Sequence, residues 1–161
     1  MVDLRVERVD GEAGQRDWRY VHNLIIPTDP LSADEVRERA GRHRLDVAYV
    51  GDVLVGCMTV RPPEDGTPVA TVIARILPEH RERGLGTLLY AHGLAQAREL
   101  GAERIRTVVL ESNPQGLRFA LARGFVEVER YLLPGDSVPF IDLEAGLKPA
   151  GAEGARGSGS T

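Results

Sequence analysis

Apolar and polar positions alternate along "LRVERV", the period of a half-buried strand, and then lengthen across "GEAGQRDWRYVHNLII" to a helical period that Pro27 stops. Ser32 precedes "ADEVRERAGR" with Glu35 three residues on, the spacing of a capping box, so a short second helix is expected to end near Gly41. Three apolar segments follow, "RLDVAYV", "VLVGCMTVRPP" and "PVATVIARIL", joined by short turns at Gly51-Asp52 and Asp65-Gly66. Their pattern predicts an antiparallel meander. The helical run "LGTLLYAHGLAQAREL", the strand "RIRTVVL", a helix from Pro114 to about Arg123, and the strands "FVEVERYLL" and "VPFIDL" complete the chain. The predicted order is therefore β-α-α-β-β-β-α-β-α-β-β. From Glu144 onward the apolar period is lost and Gly, Ala, Ser and Pro dominate, so residues 144–161 are expected to form a disordered tail behind one domain of residues 1–143.

Composition narrows the class. At 161 residues and 42% apolar the chain suits one packed α/β domain. A net charge of −4 without a basic stripe argues against nucleic acid or an anionic membrane as partner. "MVDLRVERVD" has neither the apolar core nor the cleavage site of a signal peptide, and no run approaches a membrane span, so the expected compartment is cytoplasmic. Cys57 is the single cysteine; it lies in an apolar run and reads as a buried, inert thiol. His80 and His92 have no ligand company at a zinc-site spacing, so no metal is expected.

The chemistry concentrates at "LPEHRERGLGTLLY". A strand ends at Pro78, and Arg81, Arg83, Gly84 and Gly86 lead directly into a helix whose first turn holds no acid. Glycines let a ligand approach the backbone, and the first amides of the helix point outward as donors. Each exposed arginine beside that positive dipole end costs on the order of 0.3–1 kcal/mol unless an anion sits between them. The pattern points to a bound phosphate, with a solvated turn as the alternative. A P-loop is excluded because no Lys follows either glycine, and a dinucleotide fingerprint because Leu89 occupies the third glycine position.

Arg81-Glu82-Arg83-Gly84-Leu85-Gly86 resembles the R/Q-x-x-G-x-G/A signature of the GNAT superfamily of acyl-CoA N-acyltransferases, and the element order from Leu4 to Leu143 is similar to that family's as well. The resemblance implies a mixed seven-stranded sheet with helices on both faces and a splayed fourth and fifth strand pair. It also implies acetyl-CoA as co-substrate, its pyrophosphate held at Arg81, Arg83, Gly84, Gly86 and Thr87 and its pantetheine arm paired with the backbone at Ile76 and Leu77. Asn113, followed by Pro114, would open a second cofactor segment while also capping its helix.

The usual acid and base of the family are absent by the same resemblance: its tyrosine falls at Ala120 and its glutamate near Ala70. Glu111, at the end of a strand facing the expected gap, is the substitute base, acting directly or through water, and Tyr131 the substitute acid. Their alternatives are an exposed carboxylate and a half-buried aromatic. Trp18, His22 and Asn23 fall in the region that lines the family's acceptor pocket, against an ordinary packing role. The expected activity is N-acetylation of a primary amine of a small molecule, with a homodimer as the expected assembly if one forms; a catalytically silent module that binds acyl-CoA or forms an oligomer is the alternative.

Overall fold

The computed structural model describes residues 3–64 and 66–147. Strand β1 (Leu4–Arg8) leads to helices α1 (Glu12–Ile25) and α2 (Ala33–Arg42), and then to the meander β2 (Arg44–Val50), β3 (Val53–Arg61) and β4 (Val69–Ile76). A 3-10 turn at Pro78–His80 enters α3 (Leu85–Glu99), followed by β5 (Arg104–Leu110), α4 (Pro114–Ala122), β6 (Val126–Tyr131) and β7 (Phe140–Gly146). All seven strands join one sheet in the order β1-β2-β3-β4-β5-β7-β6.

Local chemistry explains the helix boundaries. Ser32 Oγ accepts from the Glu35 amide while the Glu35 carboxylate accepts from the Ser32 amide, so the predicted capping box forms. Asn113 Oδ1 accepts from the Gly116 amide at 3.1 Å and Pro114 supplies the first helical position of α4.

Strand β3 is buried over most of its length, as a central strand covered on both faces should be. On one face Trp18, Val21 and Val36 of α1 and α2 pack against Leu45, Val47 and Cys57. On the other, Leu85, Leu89 and Ala97 of α3 pack with Ala120 against Met58, Val72 and Ile105. Contact there is close enough to demand a glycine: a Cβ on Gly93 would collide with Val72 and stand 2.8 Å from the Met58 sulfur.

The sheet has one parallel pair, and it is incomplete. β4 and β5 are in register at Val69↔Arg104, Ala70↔Ile105 and Thr71↔Arg106, and the pairing stops there although β4 runs on to Ile76. A crossover through α3 permits parallel strands, but the backbone register ends at Thr71, and beyond it they diverge as the resemblance implied.

The end of the sheet differs from the sequence expectation. β7 continues to Gly146, and Glu144, where the tail was expected to begin, accepts from Arg104 and Arg106. Cross-strand pairing with β5 (Arg104↔Gly146) overrides a composition that reads as tail. Residues 148–161 lie outside the described residues.

Candidate active site

Divergence of β4 from β5 opens a cleft of about 400 Å³. Side chains alternate across a sheet, so Ala74 and Ile76 with Thr107 and Val109 line it on the α3/α4 face, whereas Arg75 and Val108, with Ile25 of α1, line it on the α1/α2 face. The cleft therefore passes through the sheet.

One mouth presents backbone donors without partners in the helix. Gly84 adopts a left-handed conformation (φ 78°) with open space where a Cβ would stand, and no side chain caps α3. The amides of Leu85, Gly86 and Thr87 precede the first helical bond, Leu88 N–H to Gly84 O, and so lack an intrahelical acceptor. Gly84, Gly86, Thr87 and Asn113 all line the cleft, Asn113 doing so while capping α4.

The two arginines of the motif have different surroundings. Arg81 lines the cleft, yet its Nε donates to the Ile76 carbonyl at 2.9 Å and its Nη1 to Gln115 Oε1 at 3.2 Å, tying the end of β4 to α4. Arg83 is exposed outside the cleft lining, with Nη1 3.0 Å from His80 Nδ1. Tertiary folding brings in cations that the motif does not contain. Arg123 of the α4 terminus lies 3.5 Å from the Phe119 ring centroid and donates to Thr87 Oγ1 at 2.5 Å, and Arg118 joins the lining. Glu82 also lines this mouth and is the only non-glycine described residue with positive φ (62°).

At the strand edge the structure corrects one position. The Leu77 amide donates to Val55 O at 2.8 Å and its side chain is buried on the α1/α2 face, so Leu77 is committed to β3 and the core. Backbone groups alternate in direction along a strand, so Ile76 and Ala74 present theirs to the gap. Ile76 keeps its N–H for a ligand, its carbonyl being held by Arg81. Ala74 was not legible as a site residue because only the direction of the ladder singles it out.

The expected acceptor residues are structural supports. Trp18 is buried and its Nε1 donates to Met58 O at 3.2 Å. His22 stacks on Trp18 with ring centroids 5.1 Å apart, and burial pushes its pKa down to about 4. Asn23 donates to Leu31 O and accepts from Leu31 N, fixing the α1–α2 connection. Its Oδ1 also lies 3.0 Å from His22 Nδ1, so Nδ1 carries the imidazole proton. None of the three lines the cleft; of α1, only Ile25 does.

Nor does the structure bring the expected acid and base into the cleft. The Glu111 carboxylate is exposed and engages Arg130 Nη1 at 2.6 Å, away from the lining residues. Tyr131 stacks on Phe140 and donates to Asp142 Oδ1 at 2.9 Å; burial and this hydrogen bond raise its pKa to about 12. Tyr90 is the tyrosine that does line the cleft, edge-on to Phe119 and Phe125 with centroids 5.9 and 6.0 Å away. Its i,i+4 relation to Gly86 was the available signal. Ala120 lines the cleft without a polar group. Among the described residues no cluster of His, Cys, Asp or Glu could hold a metal, and no helix is long and apolar enough to cross a membrane.

A sheet split at one parallel pair, with an uncapped glycine-led helix start beside the split, is the arrangement that the resemblance implied. Residues 14–125 match the family model for the acetyltransferase (GNAT) family, and the chain belongs to that family. Solved structures similar to this chain include a protein provisionally assigned as a phosphinothricin N-acetyltransferase, 18% identical over 91% of this chain and 100% of that one, with a TM-score of 0.77. A provisionally assigned acetyltransferase from Salmonella typhimurium, solved with its cofactor acetyl-CoA, is 15% identical over 92% and 96%, with a TM-score of 0.72. An acetyltransferase from Bacillus subtilis, solved with CoA, is 20% identical over 91% and 100%, with a TM-score of 0.66. No curated protein sequence matches significantly.

Proposed function

We propose that this protein acetylates the primary amine of a small molecule, taking the acetyl group from acetyl-CoA on the α3/α4 side of the sheet and the amine from the α1/α2 side. The observation that carries this reading is the cleft's passage through the sheet between β4 and β5, lined from both faces. Two reactants that enter from opposite faces meet at a fixed separation, and that positioning lowers the barrier.

When bound, acetyl-CoA supplies an acetyl thioester already activated toward an amine. The amides of Leu85, Gly86 and Thr87 serve as pyrophosphate donors, with Arg123 and Arg118 supplying positive charge and Asn113 a polar wall. The free edge of Ala74 and Ile76 is a hydrogen-bonding ladder for the amides of the pantetheine arm. Tyr90 Oη supplies the proton that the departing thiolate takes up, and the proton shed by the acylated nitrogen restores the tyrosine through water. Glu82, at the phosphate mouth, is the only carboxylate among the described lining residues, and no histidine is among them. The amine is therefore taken up in its neutral form.

The test is a screen of purified protein with acetyl-CoA against a broad library of small amines, following release of the CoA thiol. Turnover of a defined subset is the expected result. Tight acetyl-CoA binding with silence across the library would overturn the catalytic reading and favour the silent binding module, for which Ala120 in the tyrosine position is the motive.

A further inference from the structure

The α1/α2 mouth of the cleft carries a charge that the acetyl group cannot use. Arg75 projects from β4 to that face directly beyond the splay, where it lines the cleft with Ile25 and Val108. Among the described residues none hydrogen-bonds or ion-pairs with its guanidinium. Most other arginines that pack against this sheet are partnered: Arg106 by Glu144 and Asp142, Arg104 by Glu144 and Arg44 by Glu99.

Two further guanidiniums lie close to it, Arg61 and Arg39, and among the described residues neither makes a hydrogen bond or an ion pair. Arg61 ends β3, and its Nε is buried without a hydrogen bond. Arg39 lies one turn beyond Val36, the α2 residue that packs in the same cluster as Cys57, and Cys57 is the cross-strand neighbour of Arg75. Arg75 is held down to about 10 by burial first and then by Arg61 and Arg39; it remains a cation at neutral pH. The acids nearby are already engaged or remote from the cleft. Asp142 accepts from Tyr131 and pairs with Arg106, and Asp29 acts on Arg39.

Three close cations, one of them inside the cleft, are mutually repulsive, and an anion between them removes that repulsion while leaving the fold unchanged. We infer that the acceptor is an acidic amine, a small molecule whose primary amine is accompanied by a carboxylate or related oxyanion that Arg75 receives on the α1/α2 side. This rests on the reading of the cleft as an acetyl-transfer site. It goes further in naming what the acceptor must carry besides its amine. Arg75 presents a planar fork matched to two oxyanion oxygens, and Arg61 and Arg39 supply the field that draws the acid in and disfavours cationic polyamines.

The experiment compares acceptors that differ in one group: glycine, glycinamide, aminomethylphosphonate and ethylamine, and the same four groups on a longer side chain, each with saturating acetyl-CoA. The expected result is a kcat/KM at least tenfold higher for the acids than for the amide and the alkylamine. The amide's lower amine pKa biases the comparison against this outcome. The carboxylate and phosphonate arms tell which oxyanion is preferred. In Arg75→Gln the preference should collapse, with KM for the acids rising far more than kcat falls, and Arg75→Lys should recover part of it. Acetyl-CoA affinity and the unfolding midpoint of each variant report that the fold is retained. Equal or better turnover of the amide or the alkylamine, or an acid preference that survives Arg75→Gln, overturns the inference while leaving acetyl transfer intact. Silence on every amine overturns both.

Discussion

Arg81 Nε donates to the carbonyl oxygen of Ile76 at 2.9 Å, so the first arginine of the Arg81–Gly86 motif closes the end of the strand that borders the cleft. Its Nη1 holds Gln115 on the facing helix. A hydrogen bond from a charged donor to a part-buried carbonyl contributes about 1–2 kcal/mol. Arg81→Gln is expected to lower the unfolding free energy of the ligand-free protein by that amount and to weaken acetyl-CoA binding. Chemical denaturation without ligand checks it. Unchanged stability with weakened binding would make Arg81 a phosphate ligand alone.

Glu82 combines a left-handed backbone with a carboxylate at the mouth proposed to take the pyrophosphate. Glycine occupies that conformation without the Cβ penalty, and the gain is partly offset by the greater freedom of an unfolded glycine. Glu82→Gly should raise stability by about 0.5–1 kcal/mol and tighten acetyl-CoA binding. Glu82→Ala removes the charge but keeps the strain, so it should tighten binding without the stability gain. Calorimetric titration and thermal melts separate the two effects.

Gly93 lies mid-helix, where alanine is favoured by about 1 kcal/mol on propensity alone. Here packing wins. A Cβ meets Val72 and the Met58 sulfur on the sheet, both buried, and overpacking of this kind costs about 1–3 kcal/mol. Gly93→Ala is expected to destabilise the protein, measured as a lower urea midpoint with an unchanged slope; stabilisation would mean that the helix shifts freely.

Tyr90 and Glu111 give opposite expectations. Tyr90→Phe keeps the aromatic contacts with Phe119 and Phe125 but removes the hydroxyl from the cleft, so turnover should fall about tenfold to a hundredfold with acetyl-CoA affinity retained. Glu111→Gln breaks an exposed pair with Arg130 and should leave turnover within about twofold of the parent. Since the lining offers no base near the amine, the rate should climb with pH toward the pKa of the acceptor. A profile that plateaus near neutral pH would require a base in the protein.

His22 links the acceptor-side scaffold to pH. Its folded pKa of about 4 lies below the ordinary value of 6.5, so the unfolded chain binds more protons between those values. The associated stability is complete above pH 6.5 and is lost as pH falls through 4. At about 1.4 kcal/mol per pKa unit the loss is on the order of 3 kcal/mol. His43, likewise held near 4 by burial and by Arg61, adds to the same window. His22→Gln should flatten the dependence of unfolding free energy on pH between 6.5 and 4.5, measured by urea denaturation at several pH values. An unaltered slope would assign the acid sensitivity elsewhere.

Periodicity and turn chemistry determined the elements: alternation in "TVIARIL", the Ser32–Glu35 box and the Asn113-Pro114 cap are local features, and each acts over a few residues whatever the rest of the chain does. The uncapped, glycine-led start of α3 was legible for the same reason, since glycine freedom and an acid-free first turn are properties of consecutive residues. The sequence placed the splay only through the order of elements.

Direction and partnership were decided in three dimensions. Leu77 and Ala74 exchange roles because hydrogen-bond direction alternates along β4 and its phase is set by β3. Glu111 and Tyr131 lie outside the cleft lining: Glu111, at the end of β5, pairs with Arg130 of β6 across the intervening β7, and Tyr131 donates to Asp142 of neighbouring β7. Arg123 reaches Thr87 from a helix 36 residues on. Arg75 is the one charged residue in "TVIARIL"; it acquires its meaning only where β5 turns away and Arg39 and Arg61 arrive from other elements. Contacts between residues distant in sequence follow from packing, and no local pattern records which charge will be left without a partner.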